Sequence, residues 1–333
     1  LIVGVGALGG VVGARLLASG CDVWLATRDE IAARTLRSKG LSVIGVGGDV
    51  EVNAPHVHPL GAYGTYGAFD LILLATKARD AIDAAPGLLK LLAPNGVLLP
   101  IQNGGVPAML AEQHGSAHVL GGLSNLGATM LDIGQFDQRN AGYLLLGEVA
   151  GGSSARAKAT GDWLARGVNV RVSENLRGSI WAKLLINCSV TTTGALAGCT
   201  MAEYILEPGG RELFEKAYDE TLNVALASNN LPERLTVDPT PPARAPGGAY
   251  ETWFQEVLTN YGAIKPSMLQ DLEKKRVTEI DFINGYVAEV GKAVGVPVPV
   301  NAAMVEVIRN ISKGTVSPSR QNLGSVLRSA KNA

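Results

Sequence analysis

Inside the apolar run Ile180-Trp181-Ala182-Lys183-Leu184-Leu185-Ile186-Asn187-Cys188 sits a single cation. Lys183, Asn187 and Thr191 stand at i, i+4 and i+8 and so share one face of a helix. Lysine is rarely fully buried without a partner, and a buried asparagine needs hydrogen bonds. The stripe therefore reads as the wall of a cleft. A lysine that snorkels to solvent, with the asparagine capping a neighbouring element, accounts for the same residues. A second cluster follows at Lys265-Pro266-Ser267-Met268-Leu269-Gln270-Asp271 and Thr278-Glu279-Ile280-Asp281-Phe282-Ile283-Asn284-Gly285. Ser267, just after Pro266, suits a helix N-cap. Asp271, Lys275 and Glu279 lie at successive i+4 steps, the pattern of a solvated ion-pair face. Yet Glu279 opens a mostly apolar run, so it is expected near the core, where a carboxylate beside Lys183 would orient the ammonium and keep it charged.

The other end of the chain carries a different chemistry. Leu1-Ile2-Val3 runs into Gly4-Val5-Gly6-Ala7-Leu8-Gly9, a Gly-x-Gly-x-x-Gly spacing between a buried strand and a helix expected from about Leu8 to Ser19. Gly4 permits the tight turn, Gly6 lets backbone approach a pyrophosphate, and Gly9 allows close helix–strand packing. The diphosphate would rest on the free N–H groups of the helix N-terminus. An NAD-preferring site places a carboxylate at the end of the second strand, about 20 residues past the glycines. Here that strand, Cys21 to Ala26, ends Leu25-Ala26-Thr27-Arg28, with no carboxylate before Asp29. The Arg28 guanidinium suits a 2′-phosphate, and Thr27 offers a further hydrogen bond, so the expected cofactor is NADP(H). A solvated surface charge is the plain alternative for Arg28.

The 333 residues allow two domains and a substantial core. A net charge of −1 gives no general electrostatic case for nucleic acid or an anionic membrane as partner. No apolar run approaches the roughly 20 residues that span a bilayer. The abrupt opening on a strand leaves room for native residues before Leu1. The three cysteines, Cys21, Cys188 and Cys199, have no CxxC spacing and fit buried thiols in a reducing compartment, with cytoplasm the default. His56-x-His58 lies in a Pro-flanked segment and Gly115 separates His114 from His118, so no metal site is expected.

The elements that must position these residues alternate in the first half. A helix near 31–39, strands around 41–46, 70–75, 96–101 and 119–121, and helices over about 80–92 and 107–113 predict a parallel, doubly wound sheet. Lys77 and Asn103 then fall beyond the carboxyl ends of strands, where ligands bind in such sheets. Two strand-like segments flanking a helix near 154–166 complete this α/β Rossmann domain, 1–174, with antiparallel pairing at an edge. After Asn175 apolar helical periodicity takes over in 180–190, 213–227, 268–294 and 301–311, giving an all-α domain, 175–333. The stretch 239–248, Pro-Thr-Pro-Pro through Gly-Gly, reads as an exposed loop, either a passive insertion or a lid.

On these residues the chain resembles the ketopantoate reductase (2-dehydropantoate 2-reductase) family. The matching elements are the Gly4–Gly9 turn, Arg28, Lys77, Gln102-Asn103-Gly104, Trp181-x-Lys183-x-x-x-Asn187-Cys188, Ser267-Met268-Leu269-Gln270-Asp271, Thr278-Glu279-Ile280-Asp281-x-Ile283-Asn284-Gly285 and Gly295-Val296-Pro297-Val298-Pro299-Val300-Asn301. The resemblance implies a Rossmann domain that binds NADPH, an all-helical domain, and an active site to which both contribute. It implies Lys183 as general acid, Glu279 as a carboxylate near cofactor and lysine, and Asn103 in contact with nicotinamide and substrate. It places Lys77 and Ala128 close to the cofactor, and Asn187 and Ser267 on the substrate's polar groups.

The chemistry agrees with those roles, since hydride transfer to a ketone carbon leaves negative charge on oxygen that an ammonium can neutralise and protonate. The expected reaction is reduction of a 2-oxo acid by NADPH, with ketopantoate to pantoate first among substrates. The chain departs from the family pattern at Thr191, and at Met201 within Gly198-Cys199-Thr200-Met201, where relatives carry asparagines. A threonine reads a substrate with one hydroxyl, so a different 2-oxo acid is the alternative substrate. A non-catalytic NADP(H) sensor is a further alternative, against which intact Lys183, Glu279 and Asn103 argue. The interval Lys183-x-x-x-Asn187 separates the chain from 3-hydroxyacid dehydrogenases with K-x-x-N. Amphipathic helical domains of this kind often pair, and a homodimer is the expected assembly.

Overall fold

The opening strand Ile2–Val3, apolar and fully buried, takes the middle of a five-stranded sheet. The order is Val57–Pro59, Leu25–Thr27, Ile2–Val3, Phe69–Leu74, Leu92–Pro100, and every pairing is parallel. The chain builds outward in one direction from Ile2–Val3 and then in the other, so the order reverses beside this strand, the switch point at which such sheets bind ligands. The computed structural model describes residues 1–245 and 248–332. Their contacts divide the chain into two units, Leu1–Leu176 and Arg177–Ala333.

In the first unit, helix Ala7–Ala18 packs on both faces, which explains its glycines. A Cβ on Gly13 would stand 3.0 Å from Leu25 Cδ2 in the parallel sheet. A Cβ on Gly10 would stand 2.1 Å from Phe136 Cζ, in a second sheet. That sheet, ordered Val50–Val52, Leu41–Gly45, Gln135–Gln138, Ala128–Asp132, is a correction to the simple doubly wound reading. Its strand Ala128–Asp132 is half-buried to exposed, so its sequence lacks the apolar run that marks a strand. Packing on the glycine-rich helix supplies what local propensity does not. Arg15 ties helix to sheet, donating to Gln138 Oε1 at 3.0 Å and to the carbonyls of Val46, Gly47 and Gly48. A third sheet joins Val170–Ser173, Leu144–Glu148 and Leu120–Ser124, the last pair antiparallel as expected at an edge.

The second unit contains helices and no strand among the described residues. Helix Leu176–Ile186 runs into a π-turn, Asn187–Thr191, then helix Thr192–Ala197. Around it lie helices Met201–Tyr204, Gly210–Ala227, Ala249–Tyr261, Ser267–Glu273, Asn284–Val294, Pro299–Ser312 and Gln321–Lys331. The two-domain α/β plus all-α class read from the sequence is the observed one.

The apolar stretch 268–294 is not one helix. Ser267–Glu273 ends, Lys275 adopts φ 51°, and a 3-10 turn at Ile280–Phe282 precedes Asn284–Val294. The intervening residues 273–277 are all exposed and leave no face to pack, so nothing sustains a helix there. Asp271, Lys275 and Glu279 therefore do not form a helical ladder. Of the Pro/Gly-rich stretch, Pro246 and Gly247 lie outside the described residues. The part before them is tied down. Tyr218 donates to the Pro239 carbonyl at 2.9 Å, Trp253 Nε1 donates to the Asp238 carbonyl at 2.7 Å, and Arg244 makes two bonds to Asp219 at 2.8 and 2.9 Å. These bonds hold Asp238, Pro239 and Arg244 to residues of helices Gly210–Ala227 and Ala249–Tyr261.

Candidate active site

The three glycines of the first turn divide by what surrounds them. Gly4 has φ 98° and a Cβ there would lie 2.8 Å from Thr76 Cγ2. A Cβ on Gly9 would meet the Gly4 carbonyl oxygen at 2.0 Å, so helix and turn touch backbone to backbone. At Gly6 a Cβ would meet nothing within 4 Å. Folding thus explains Gly4 and Gly9 but not Gly6, whose bare backbone is a surface a ligand can approach. Helix Ala7–Ala18 has no side-chain cap and no acid in its first turn, so Val5, Ala7 and Leu8 border free N–H groups. The next helix, Glu30–Lys39, is capped instead by Asp29, whose carboxylate accepts from Ala32 N at 2.8 Å.

Arg28 is exposed just beyond strand Leu25–Thr27. Thr27 is only 5 % exposed, and its hydroxyl donates to the Asp29 carbonyl at 2.8 Å. Its proton is spent on the turn, which removes it as a phosphate donor and corrects that expectation. Lys77 is exposed at the start of helix Ala78–Leu89, just past strand Phe69–Leu74. Gln102 donates from Nε2 to the carbonyls of Leu74 at 2.8 Å and Thr76 at 3.0 Å, splicing two strand ends together. That bond fixes the base from which half-buried Asn103 projects. Gln102 is thus a positioning residue, and its place in Gln102-Asn103-Gly104 is the only signal for it in the sequence. Ala128 is half-buried at the head of strand Ala128–Asp132, paired with Gln138.

In the second unit, every residue from Gly178 to Ala197 is buried except Lys183, Asn187 and Thr191. These three are half-buried, and the hydroxyl of Thr191 donates to Asn187 Oδ1 at 3.4 Å. With Oδ1 so engaged, the carboxamide keeps its N–H groups as donors to anything beside it. Lys183 is the charged member. Burial draws its pKa down from 10.5 to about 8, and the carboxylate of Glu279 acts against that fall. Glu279 reaches this position from the turn before Ile280–Phe282, not from a helix face. Ser267 begins helix Ser267–Glu273, is exposed and makes no capping bond, contrary to the N-cap expectation. Met201 is fully buried, so that departure from the family pattern is a core residue.

The profile "Ketopantoate reductase PanE/ApbA" matches residues 1–151, and "Ketopantoate reductase PanE/ApbA C terminal" matches residues 175–312. The 2-dehydropantoate 2-reductase of Archaeoglobus fulgidus is 28 % identical over 316 residues, 94 % of this chain and 97 % of that protein. That of Pyrococcus abyssi is 29 % identical over 322 residues, 92 % of this chain and 96 % of that protein. Among solved structures, a PanE/ApbA family ketopantoate reductase from Ralstonia eutropha superposes with TM-score 0.77 at 22 % identity, covering 94 % of this chain and 99 % of that one. A D-mandelate dehydrogenase with NADH and anilino(oxo)acetate superposes with TM-score 0.79 at 23 % identity, covering 94 % and 99 %. At these identities the superpositions speak for the fold, and the nicotinamide cofactor follows from the reductase family. With both of its halves matched in order, the chain belongs to the ketopantoate reductase family, oxidoreductases that act on CH–OH groups.

Proposed function

We propose that this chain is an NADPH-dependent reductase that converts a 2-oxo acid to its 2-hydroxy acid, with ketopantoate to pantoate as the first substrate to test. The single observation that carries the reading is Lys183, a half-buried lysine brought to a pKa of about 8 and attended by Glu279. A proton donor works best with a pKa near the working pH, and burial beside a carboxylate is how a lysine reaches that range.

The first unit would bind NADPH through Gly4, Val5, Gly6, Ala7, Leu8 and Gly9 at the diphosphate, Arg28 at the 2′-phosphate, and Lys77, Asn103 and Ala128 further along. When bound, the cofactor supplies the hydride that the reduction needs. The residues of the second unit do the rest. Lys183 Nζ neutralises the charge that develops on the ketone oxygen and gives it a proton. Glu279 keeps the ammonium charged and oriented until that moment and also belongs beside the cofactor. Asn187, through its amide N–H groups, and Ser267, through its hydroxyl, donate to the carboxylate and other polar groups of the substrate; Asn103 completes the set.

Thr191 supports a second reading, a 2-oxo acid other than ketopantoate. Its hydroxyl is turned toward Asn187, where family members offer a second amide. The superposition on a D-mandelate dehydrogenase fits that reading. NADPH oxidation by purified protein over a panel of 2-oxo acids tests both. Turnover of ketopantoate supports the first, turnover of other members alone the second, and tight NADPH binding with no turnover overturns both in favour of a sensor.

A further inference from the structure

We propose that Asn284, with Thr192 and Tyr204, is a positioning residue that holds the π-turn Asn187–Thr191 and so sets the register between the proton donor Lys183 and the substrate-reading pair Asn187 and Thr191. The inference rests on the roles given to those three residues above.

A π-turn is rarer than continued α-helix, and it persists where surrounding structure specifies it. Here the backbone N–H of Thr192 reaches the carbonyl of Asn187, five residues back. Three successive carbonyls of the turn are met by buried side chains. Asn187 O accepts from Thr192 Oγ1 at 3.0 Å, Cys188 O from Asn284 Nδ2 at 3.5 Å, and Ser189 O from Tyr204 Oη at 3.2 Å. The donors come from three different helices, and each is fully buried. A buried polar group must find partners, so their convergence on one turn is a specified arrangement.

Behind the turn the bonds run in one direction. The Glu220 carboxylate can only accept, and it takes Asn301 Nδ2 at 2.8 Å together with the backbone N–H groups of Val300 and Asn301 at 2.8 and 2.9 Å. Asn301 Oδ1 must therefore face Asn284 Nδ2, at 2.9 Å. Asn284 Oδ1 then accepts from Thr192 Oγ1 at 2.7 Å, so one hydroxyl proton faces both this oxygen and the Asn187 carbonyl. The amide orientation of Asn284 is thus fixed by the Glu220 carboxylate, through Asn301 alone.

The extra residue in the turn has a geometric consequence. Each residue of an α-helix turns about 100°, so i, i+4 and i+8 drift steadily around the axis. A turn widened by one residue brings Thr191 back toward the line of Lys183, and Lys183, Asn187 and Thr191 are the only residues from Gly178 to Ala197 that are not buried. Asn284 also follows Glu279 by one short turn, in which the N–H groups of Phe282 and Ile283 both reach the Glu279 carbonyl. The segment that brings a carboxylate to Lys183 therefore also secures the far half of the stripe.

The test uses Asn284→Leu, Thr192→Val and, as a conservative control, Thr192→Ser, in the full chain. Thr191→Val is added singly and in each background. Amide exchange at Thr192 reads the π-turn without reference to activity. The expected result is faster exchange at Thr192 in Asn284→Leu and Thr192→Val. KM for the 2-oxo acid should rise about tenfold while NADPH affinity stays within about twofold, and Thr191→Val should cost nothing further in those backgrounds. Thr192→Ser should behave as the parent. Unchanged exchange at Thr192, or a full additional cost of Thr191→Val, overturns the proposal, and Thr192→Val decides it if Asn284→Leu does not fold. Faster exchange with no 2-oxo acid turned over by the parent would instead overturn the functional reading while leaving the clamp in place.

Discussion

Glu279 acts on Lys183 from outside any helix: it stands at the turn before Ile280–Phe282, and from there its carboxylate opposes the burial that brings the lysine pKa down to about 8. Without that carboxylate, burial acts alone. Glu279→Gln is expected to move the ionisation of Lys183 below 8, so the alkaline limb of the rate profile shifts toward acid. An unshifted limb in this variant would separate the two residues.

The same ionisation bears on stability with a definite sign. The folded pKa lies below the unfolded value of 10.5, so between about 8 and 10.5 the unfolded chain binds more protons and stability from this group rises with pH. Below about 8 the cost of holding the ammonium half-buried is fully present. Lys183→Met is expected to raise the melting temperature at pH 7, with the gain shrinking toward pH 10.5. A gain that grows with pH would contradict the direction of the shift.

Gly6 and Gly9 are expected to fail differently. Gly9→Ala drives a Cβ to within 2.0 Å of the Gly4 carbonyl oxygen and should destabilise the fold by about 1–3 kcal/mol, read by denaturant unfolding. Gly6→Ala meets nothing within 4 Å, so the fold should stand while NADPH titration shows weaker binding.

Arg28 is the residue proposed to select the phosphorylated cofactor. Arg28→Asp should weaken NADPH far more than NADH, measured as Kd for each. Equal effects would leave Arg28 as a surface charge.

Much of this was legible in the sequence, and what was not has physical causes. The turn at Gly4–Gly9 and the strands Ile2–Val3, Phe69–Leu74 and Leu92–Pro100 follow from periodicity and backbone sterics, whereas Leu41–Gly45 and Leu120–Ser124 join other sheets and the edge strand Val57–Pro59 has no apolar signal. Of the second sheet only Leu41–Gly45 is legible in the sequence, because Ala128–Asp132 and Gln135–Gln138 carry no apolar alternation and are held by helix Ala7–Ala18. Spacing also misled at Glu279, where an i+4 count assumed a helix that the exposed residues 273–277 cannot sustain. The π-turn at Asn187–Thr191 was invisible for a related reason. It depends on Asn284 and Tyr204, which no local pattern ties to the turn.

A proton given by Lys183 ties kcat/KM for 2-oxo acid reduction to the ionisation of that lysine, so the pH profile of this constant is the decisive measurement. The expected profile falls tenfold per pH unit above an apparent pKa of about 8, and Lys183→Ala abolishes that limb and lowers kcat by about 10²-fold or more. A rate that stays flat through pH 9.5, or a Lys183→Ala variant with parental kcat, would contradict it.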